Sequence, residues 1–333
     1  MFTTRRVARS RHEPVLGTVL DIRLTDRRTR KLREAERALL VEIDRLEQVF
    51  SVFRPDSDLS RWRADPSVNA QPSAEVVELL SAAEFWQQRS NGVFNPASGQ
   101  AQLIWKAAEA SGRIPTDVEL DLVAQEIAEP RFRVEGPPGT PATHPNRRSN
   151  EIVSTSTVTR IGDCRSLTFH AIAKGFIVDL ALAHLMKQTP VASALVNIGG
   201  DLVHHGDDEV IVGIEGTTST DNAAPVQRVA LSNAALATSG GTRRGFQVGD
   251  TWFSHVIDPR TARPVSAIAG ATVIAPTAAT ADVLATIVGI LTPPEAIAFV
   301  DALTDPFRPV ACRISVADGS VVTSPGWADY VRD

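Results

Sequence analysis

The sequence predicts an α+β fold, mixed sheets with packed helices. Three observations carry this: a long amphipathic helix in the first half, strand-length apolar runs in the second, and two further helical segments among those runs. With 333 residues, 43% hydrophobic and 22% charged, the chain can bury a substantial core, as one large domain or as two lobes sharing a cleft.

Residues 15–24 read as a first strand, interrupted at Gly17 and Thr18, where a backbone can approach a ligand closely. A long helix follows over 31–50, because Leu32, Leu39, Ile43, Leu46 and Phe50 recur at helical spacing with charges opposite them. A second helix spans 74–88. Pro72 and Ser73 mark its start, Val76, Leu80 and Ala83 share a face, and Asn91-Gly92 ends it. Residues 130–150 collect Gly136, Pro137, Pro138, Gly139, Pro141 and Pro145, the composition of an exposed loop. In the second half, ALVNIGG (194–200) and EVIVGIE (209–215) read as neighbouring strands, ALATSGG (235–241) ends another, and GATVIAP (270–276) is a fourth run. Helices are expected at 171–187 and 281–291, packed on a mixed sheet, and no internal repeat is visible.

Composition narrows the function classes. A formal net charge of −5 offers no long-range attraction to nucleic acid or anionic lipid, so any phosphate binding must be local. The two cysteines, Cys164 and Cys312, are far apart and in no metal-ligand spacing, and read as buried thiols. The N-terminus is basic but shows no apolar stretch before Glu13 and no cysteine for a lipid anchor, and no run approaches the roughly 18 apolar residues of a membrane span. These features set the expectation of a cytoplasmic protein without a membrane anchor.

Chemistry concentrates in seven segments: FSVFRPDSDLSRW (50–62), GVFNPA (92–97), AIAKGFIVD (171–179), VNIGGD (196–201), ATSGGTRR (237–244), SHVIDPRTARP (254–264) and ADVLAT (281–286). In that order and at those separations the chain resembles the ApbE family of FAD:protein FMN transferases, from Leu16-Gly17-Thr18 to Thr286. The resemblance implies a single catalytic domain over 1–333, with two lobes around a FAD cleft in a T-fold-related architecture. It implies a magnesium ion on the pyrophosphate and transfer of FMN to a threonine or serine hydroxyl of an acceptor protein, with AMP leaving. Such a reaction asks for a cation, a base and a cradle for phosphate oxygens.

Asp282 and Thr286 lie one helical turn apart, so a carboxylate and a hydroxyl project from one face as hard oxygen ligands suited to magnesium. In isolation such a pair is more often a helix cap and a hydroxyl bonded to its own turn. The resemblance favours the ligand reading and adds the backbone carbonyl of Ala171. Ala285 stands where some members carry a second acid, leaving fewer charged ligands. His255 is the candidate general base, with Asp258-Pro259 shaping its strand end; His170, His204 and His205 match no motif.

By resemblance, Phe53 stacks on the isoalloxazine where Tyr is usual, although Phe53 is as readily a core residue. Leu16, Val93, Phe94, Asn95, Lys174 and Ile257 match other FAD-contact positions, and Lys174 alone among them is a cation able to meet phosphate or ribose. Gly199-Gly200 and Gly240-Gly241 form neither a Rossmann nor a P-loop pattern. Further departures from the family are Asn95 for Asp, which still offers an acceptor for an adenine or ribose edge, Thr168 for an acid, Arg63 for Asn, and Ala262 for Gly. Alanine at 262 suggests a turn without positive φ. Besides transfer, the residues allow a FAD-binding protein without transferase activity and a magnesium-dependent FAD pyrophosphatase. The presence of His255 favours transfer. No residue names the acceptor.

Overall fold

Side chains two apart share a face of a strand, and in the central sheet both faces are apolar. In the strand Ile268–Ala275, Val273 enters the main core while Ile274 enters a second, smaller one. In Ala234–Gly240, Ala235 and Ala237 turn to the main core while Ala234 and Leu236 turn to the other. Such strands need a layer on each side, and the chain supplies helices on one face and a second sheet on the other.

The computed structural model describes residues 5–68, 70–135, 156–217, 224–241 and 244–332. Its helices are α1 (Thr29–Phe50), α2 (Asp58–Ala64), α3 (Ala74–Arg89), α4 (Gly99–Ser111), α5 (Asp117–Ala128), α6 (Ala173–Gln188), α7 (Ala278–Val288) and α8 (Pro293–Asp301). An eight-stranded sheet runs in the order Arg6–Val15, Thr18–Asp26, Ser193–Ile198, Asp201–Gly206, Ala234–Gly240, Ile268–Ala275, Ala311–Val316 and Val321–Thr323. α1, α6 and α7 pack on its main-core side. A three-stranded sheet of Val331–Arg332, Gln227–Leu231 and Val210–Ile214 covers the other side, with Trp327 in the second core. The α+β class therefore holds, and the stripe expected on α1 is buried along its length. Each of those five side chains contributes about 1.5–3 kcal/mol on burial.

Several details depart from expectation. The large sheet is antiparallel at each junction rather than mixed, because its neighbours are joined by hairpins and returning connections, not by parallel crossovers. Residues 15–24 are not one strand. Leu16 (φ 50°) and Gly17 (φ 72°) form a two-residue turn that pairs Arg6–Val15 with Thr18–Asp26. ALVNIGG and EVIVGIE are not neighbours: Ser193–Ile198 pairs with Thr18–Asp26 and Asp201–Gly206, whereas Val210–Ile214 belongs to the smaller sheet. The reason lies in its burial, since only Val210 and Ile214 are buried and the strand suits a one-sided layer.

α7 starts at Ala278, earlier than expected, because the Thr277 hydroxyl accepts the Thr280 N–H and caps it. Within the expected loop, Phe132–Glu135 is a strand paired with Thr157–Arg160; the remainder, 136–150, lies outside the described residues. Cys164 and Cys312 are both buried and free, as anticipated.

Candidate active site

The site is organised by the crossing of α6 and α7. Gly175 makes the approach possible: a Cβ there would lie 2.5 Å from the carbonyl oxygen of Ala278 and the backbone of Ala279. Asp179, one turn further along α6, accepts the N–H groups of Ala278 and Ala279 at 2.8 and 2.9 Å, so one helix caps the other. Burial pushes the Asp179 carboxyl up to about 7, against the two N–H groups that favour its charge.

The junction gathers charged groups. Asp282 on α7 is 7% exposed and accepts the Gly175 N–H, while its Oδ2 has no hydrogen-bond partner. Burial, and next the charge of Asp201, hold the Asp282 carboxyl well above the ordinary aspartate value. Asp201, 3% exposed, begins the strand that follows the Gly199-Gly200 turn and receives the Lys174 ammonium. Burial opposes the charge on Lys174, but Asp201 and Asp282 outweigh it and raise the ammonium above the usual lysine value.

These residues fit a hard divalent cation. A buried carboxylate oxygen left without a partner is costly unless a cation meets it. Thr286 lies half-buried one turn beyond Asp282, and Ala171 sits in the turn leading into α6. Among the described residues no cluster of three or more His, Cys, Asp or Glu side chains could hold a metal. A cation here would depend on Asp282, neutral oxygens, water and substrate phosphates, the habit of magnesium.

His255 is half-buried, with its N–H and its Nδ1 both on the Arg244 carbonyl at 3.2 and 3.0 Å. A carbonyl only accepts, so Nδ1 carries the proton and Nε2 keeps its lone pair. Burial, and after it the Arg244 charge, lower the imidazole pKa despite the opposing hydrogen bond. The Arg244 charge also reaches Lys174, which links the histidine loop to the α6–α7 junction. The loop is braced from α4: the Trp105 indole donates to the Ala262 carbonyl (2.9 Å) and packs on Phe253, and Gln102 donates to the His255 carbonyl. Ala262 adopts φ 55°, contrary to the expectation of a turn without positive φ. The two-residue strands 257–258 and 263–264 and the Trp105 bond impose that conformation on an alanine.

The expected flavin contacts divide into two sets. Phe53 is not a core residue: it is 76% exposed and stacks on His170 with centroids 5.2 Å apart. Desolvation, then the charges of Lys174, Arg63 and Lys106, lower the pKa of His170. Leu16 lies at the hairpin turn beside the Gly199-Gly200 turn, since Thr18 packs where a Cβ on Gly199 would go. By contrast, Val93, Phe94, Asn95 and Ile257 are buried. Asn95 donates to the Ile127 carbonyl and accepts from the Ala97 N–H, so one donor and one lone pair of its amide are engaged within the protein. Thr242 and Arg243 lie outside the described residues.

Sequence reasoning missed Asp201, Asp179 and Trp105. Asp201 and Asp179 close two of the quoted segments, and Ala101, Trp105 and Ala108 follow helical spacing on one face of α4.

Against known proteins, a profile of the ApbE family matches residues 16–308. The chain is similar to the FAD:protein FMN transferase of Treponema pallidum, at 28% identity over 97% of this chain and 88% of the relative. It is also similar to that of Escherichia coli, at 25% identity over 79% and 72%. Among solved structures it resembles the ApbE protein of Thermotoga maritima, with a TM-score of 0.77 and 21% identity over 98% of this chain and 100% of that one. The flavin transferase ApbE of Vibrio cholerae gives 0.71 and 20% over 98% and 100%. At those identities the structures establish the fold.

Proposed function

The chain belongs to the ApbE family, and from that premise we propose that it is a magnesium-dependent FAD:protein FMN transferase acting on a threonine or serine hydroxyl of an acceptor protein. The acceptor oxygen attacks the phosphorus on the FMN side of the pyrophosphate, a P–O bond forms as the P–O bond to AMP breaks, and AMP leaves with the electron pair. His255 Nε2, held unprotonated by the Nδ1 bond to Arg244, takes the hydroxyl proton. Magnesium, when bound by Asp282, Thr286 and the Ala171 carbonyl, supplies charge neutralisation at the phosphate oxygens. Lys174 adds a fixed positive charge beside them, and Phe53 presents its open ring face to the isoalloxazine. Leu16, and the backbone around Val93, Phe94, Asn95 and Ile257, complete the proposed FAD contacts.

The fixed tautomer of His255 carries this reading over that of a FAD-binding protein without transfer, because binding alone needs no oriented base. The test is incubation with FAD and magnesium, with and without an acceptor domain, followed by mass spectrometry for covalent FMN and chromatography for AMP. Covalent FMN with stoichiometric AMP supports transfer. AMP with free FMN identifies a pyrophosphatase, and unchanged FAD a binding protein. Among the described residues no helix is long and apolar enough to cross a membrane. A cytoplasmic location stays a proposal, tested by fractionation of the native protein.

A further inference from the structure

We propose that Asp201 is a positioning residue of the metal site: it holds the Lys174 ammonium to itself and so keeps the Asp282 carboxylate open to a divalent cation. This rests on the metal reading above and goes beyond it, since Asp201 belongs to a strand far from α7 in sequence and matches no expected ligand.

The geometry creates a competition. Lys174 directly precedes Gly175, whose N–H donates to Asp282, so the lysine stem starts beside that carboxylate. Its charge acts on Asp282 as well as on Asp201. Yet the ammonium donates to Asp201, and Asp282 Oδ2 keeps no partner. Lysine is a flexible chain with three donors, and turning it to Asp282 would satisfy that oxygen. Doing so would strand Asp201, which is more deeply buried and whose backbone is fixed at the start of a central strand. Asp201 wins the lysine and Asp282 is left open. With the ammonium held at Asp201, Asp282 has no internal cation of its own, and a magnesium ion with phosphate oxygens would stabilise its charged form in the buried pocket.

The charge count gives variants of opposite sign. In Asp201→Asn the lysine is released to Asp282 and competes with the metal. In Lys174→Met both carboxylates lack an internal cation. The double variant restores the wild-type net charge.

The experiment titrates the full-length protein, free of FAD, with Mn2+ and reads free Mn2+ by electron paramagnetic resonance, with circular dichroism confirming the fold. Asp201→Asn should weaken binding by about 10–100-fold, the range for residues that support metal ligands. Lys174→Met should tighten it, and the double variant should return close to the wild type. Should Asp201→Asn fail to fold, Lys174→Met and the double variant carry the test. Affinity unchanged in Asp201→Asn, or lowered in Lys174→Met, overturns the positioning role while Asp282→Asn still abolishes binding. If Asp282→Asn binds Mn2+ as the wild type does, the metal reading fails and this inference falls with it.

Discussion

His255 is the residue at which binding and chemistry should separate. A general base contributes about 10²–10⁴-fold to rate and little to ground-state binding, so His255→Ala should keep FAD affinity and lose transfer by that factor. Burial lowers the His255 pKa below the ordinary 6.5, so the neutral base persists through pH 6.5 and is lost only as pH falls through the lower folded value. The acid limb of the kcat/KM profile, which reports the free enzyme, should therefore lie below pH 6.5. Unaltered transfer in the alanine variant would remove the base assignment. Ala262 tests local strain in the same loop. An L-residue at φ 55° is strained by about 1–2 kcal/mol relative to glycine, while glycine costs about 0.5–1 kcal/mol in chain entropy. Ala262→Gly should thus be neutral or stabilising by up to about 1.5 kcal/mol, measured by urea unfolding. A clear loss of stability would show that the buried methyl outweighs the backbone.

At the scale of elements, the α6–α7 junction depends on Asp179. Replacing it with alanine strands two N–H groups at the start of α7, and leaving a buried donor without its acceptor costs about 1–3 kcal/mol. Thermal unfolding of Asp179→Ala should show that loss, together with weakened Mn2+ binding as α7 shifts; an unchanged midpoint would mean Thr277 alone caps the helix. Legibility in the sequence followed burial. α1 was readable because its stripe meets the core along the whole helix, whereas Arg6–Val15 was missed because it is an edge strand with no fully buried residue, and its half-buried positions Ala8, Ser10 and His12 make no apolar alternation. α4 buries only Ala101, Trp105 and Ala108, too thin a stripe to stand out. The same holds for the site. His255, Asp282 and Thr286 lie in local motifs, while Asp201 and Asp179 act on partners distant in sequence, which no spacing reveals.

At the scale of the whole molecule, the proposed site draws on the Leu16-Gly17 turn, the α6 N-terminus, the His255 loop and α7, elements separated by most of the chain. A ligand spanning them binds only the folded state, so FAD should raise the unfolding temperature. With a single carboxylate on α7 and Ala285 beside it, the cation's coordination must be completed largely by phosphate oxygens and water. Metal and FAD should then bind with positive coupling, each raising the affinity of the other by one common factor. At FAD a hundredfold above its Kd the stabilisation is about 2.7 kcal/mol, and each further tenfold of affinity adds about 1.4 kcal/mol. The measurement is thermal unfolding of wild type and Asp282→Ala with FAD, in magnesium and in EDTA. The wild type should gain more from FAD in magnesium than in EDTA, and the variant should gain equally in both. A wild-type shift indifferent to EDTA, or a variant that keeps the full magnesium increment, would remove α7 from the metal site and leave Asp282 as a buried acid beside Lys174 and the Gly175 N–H.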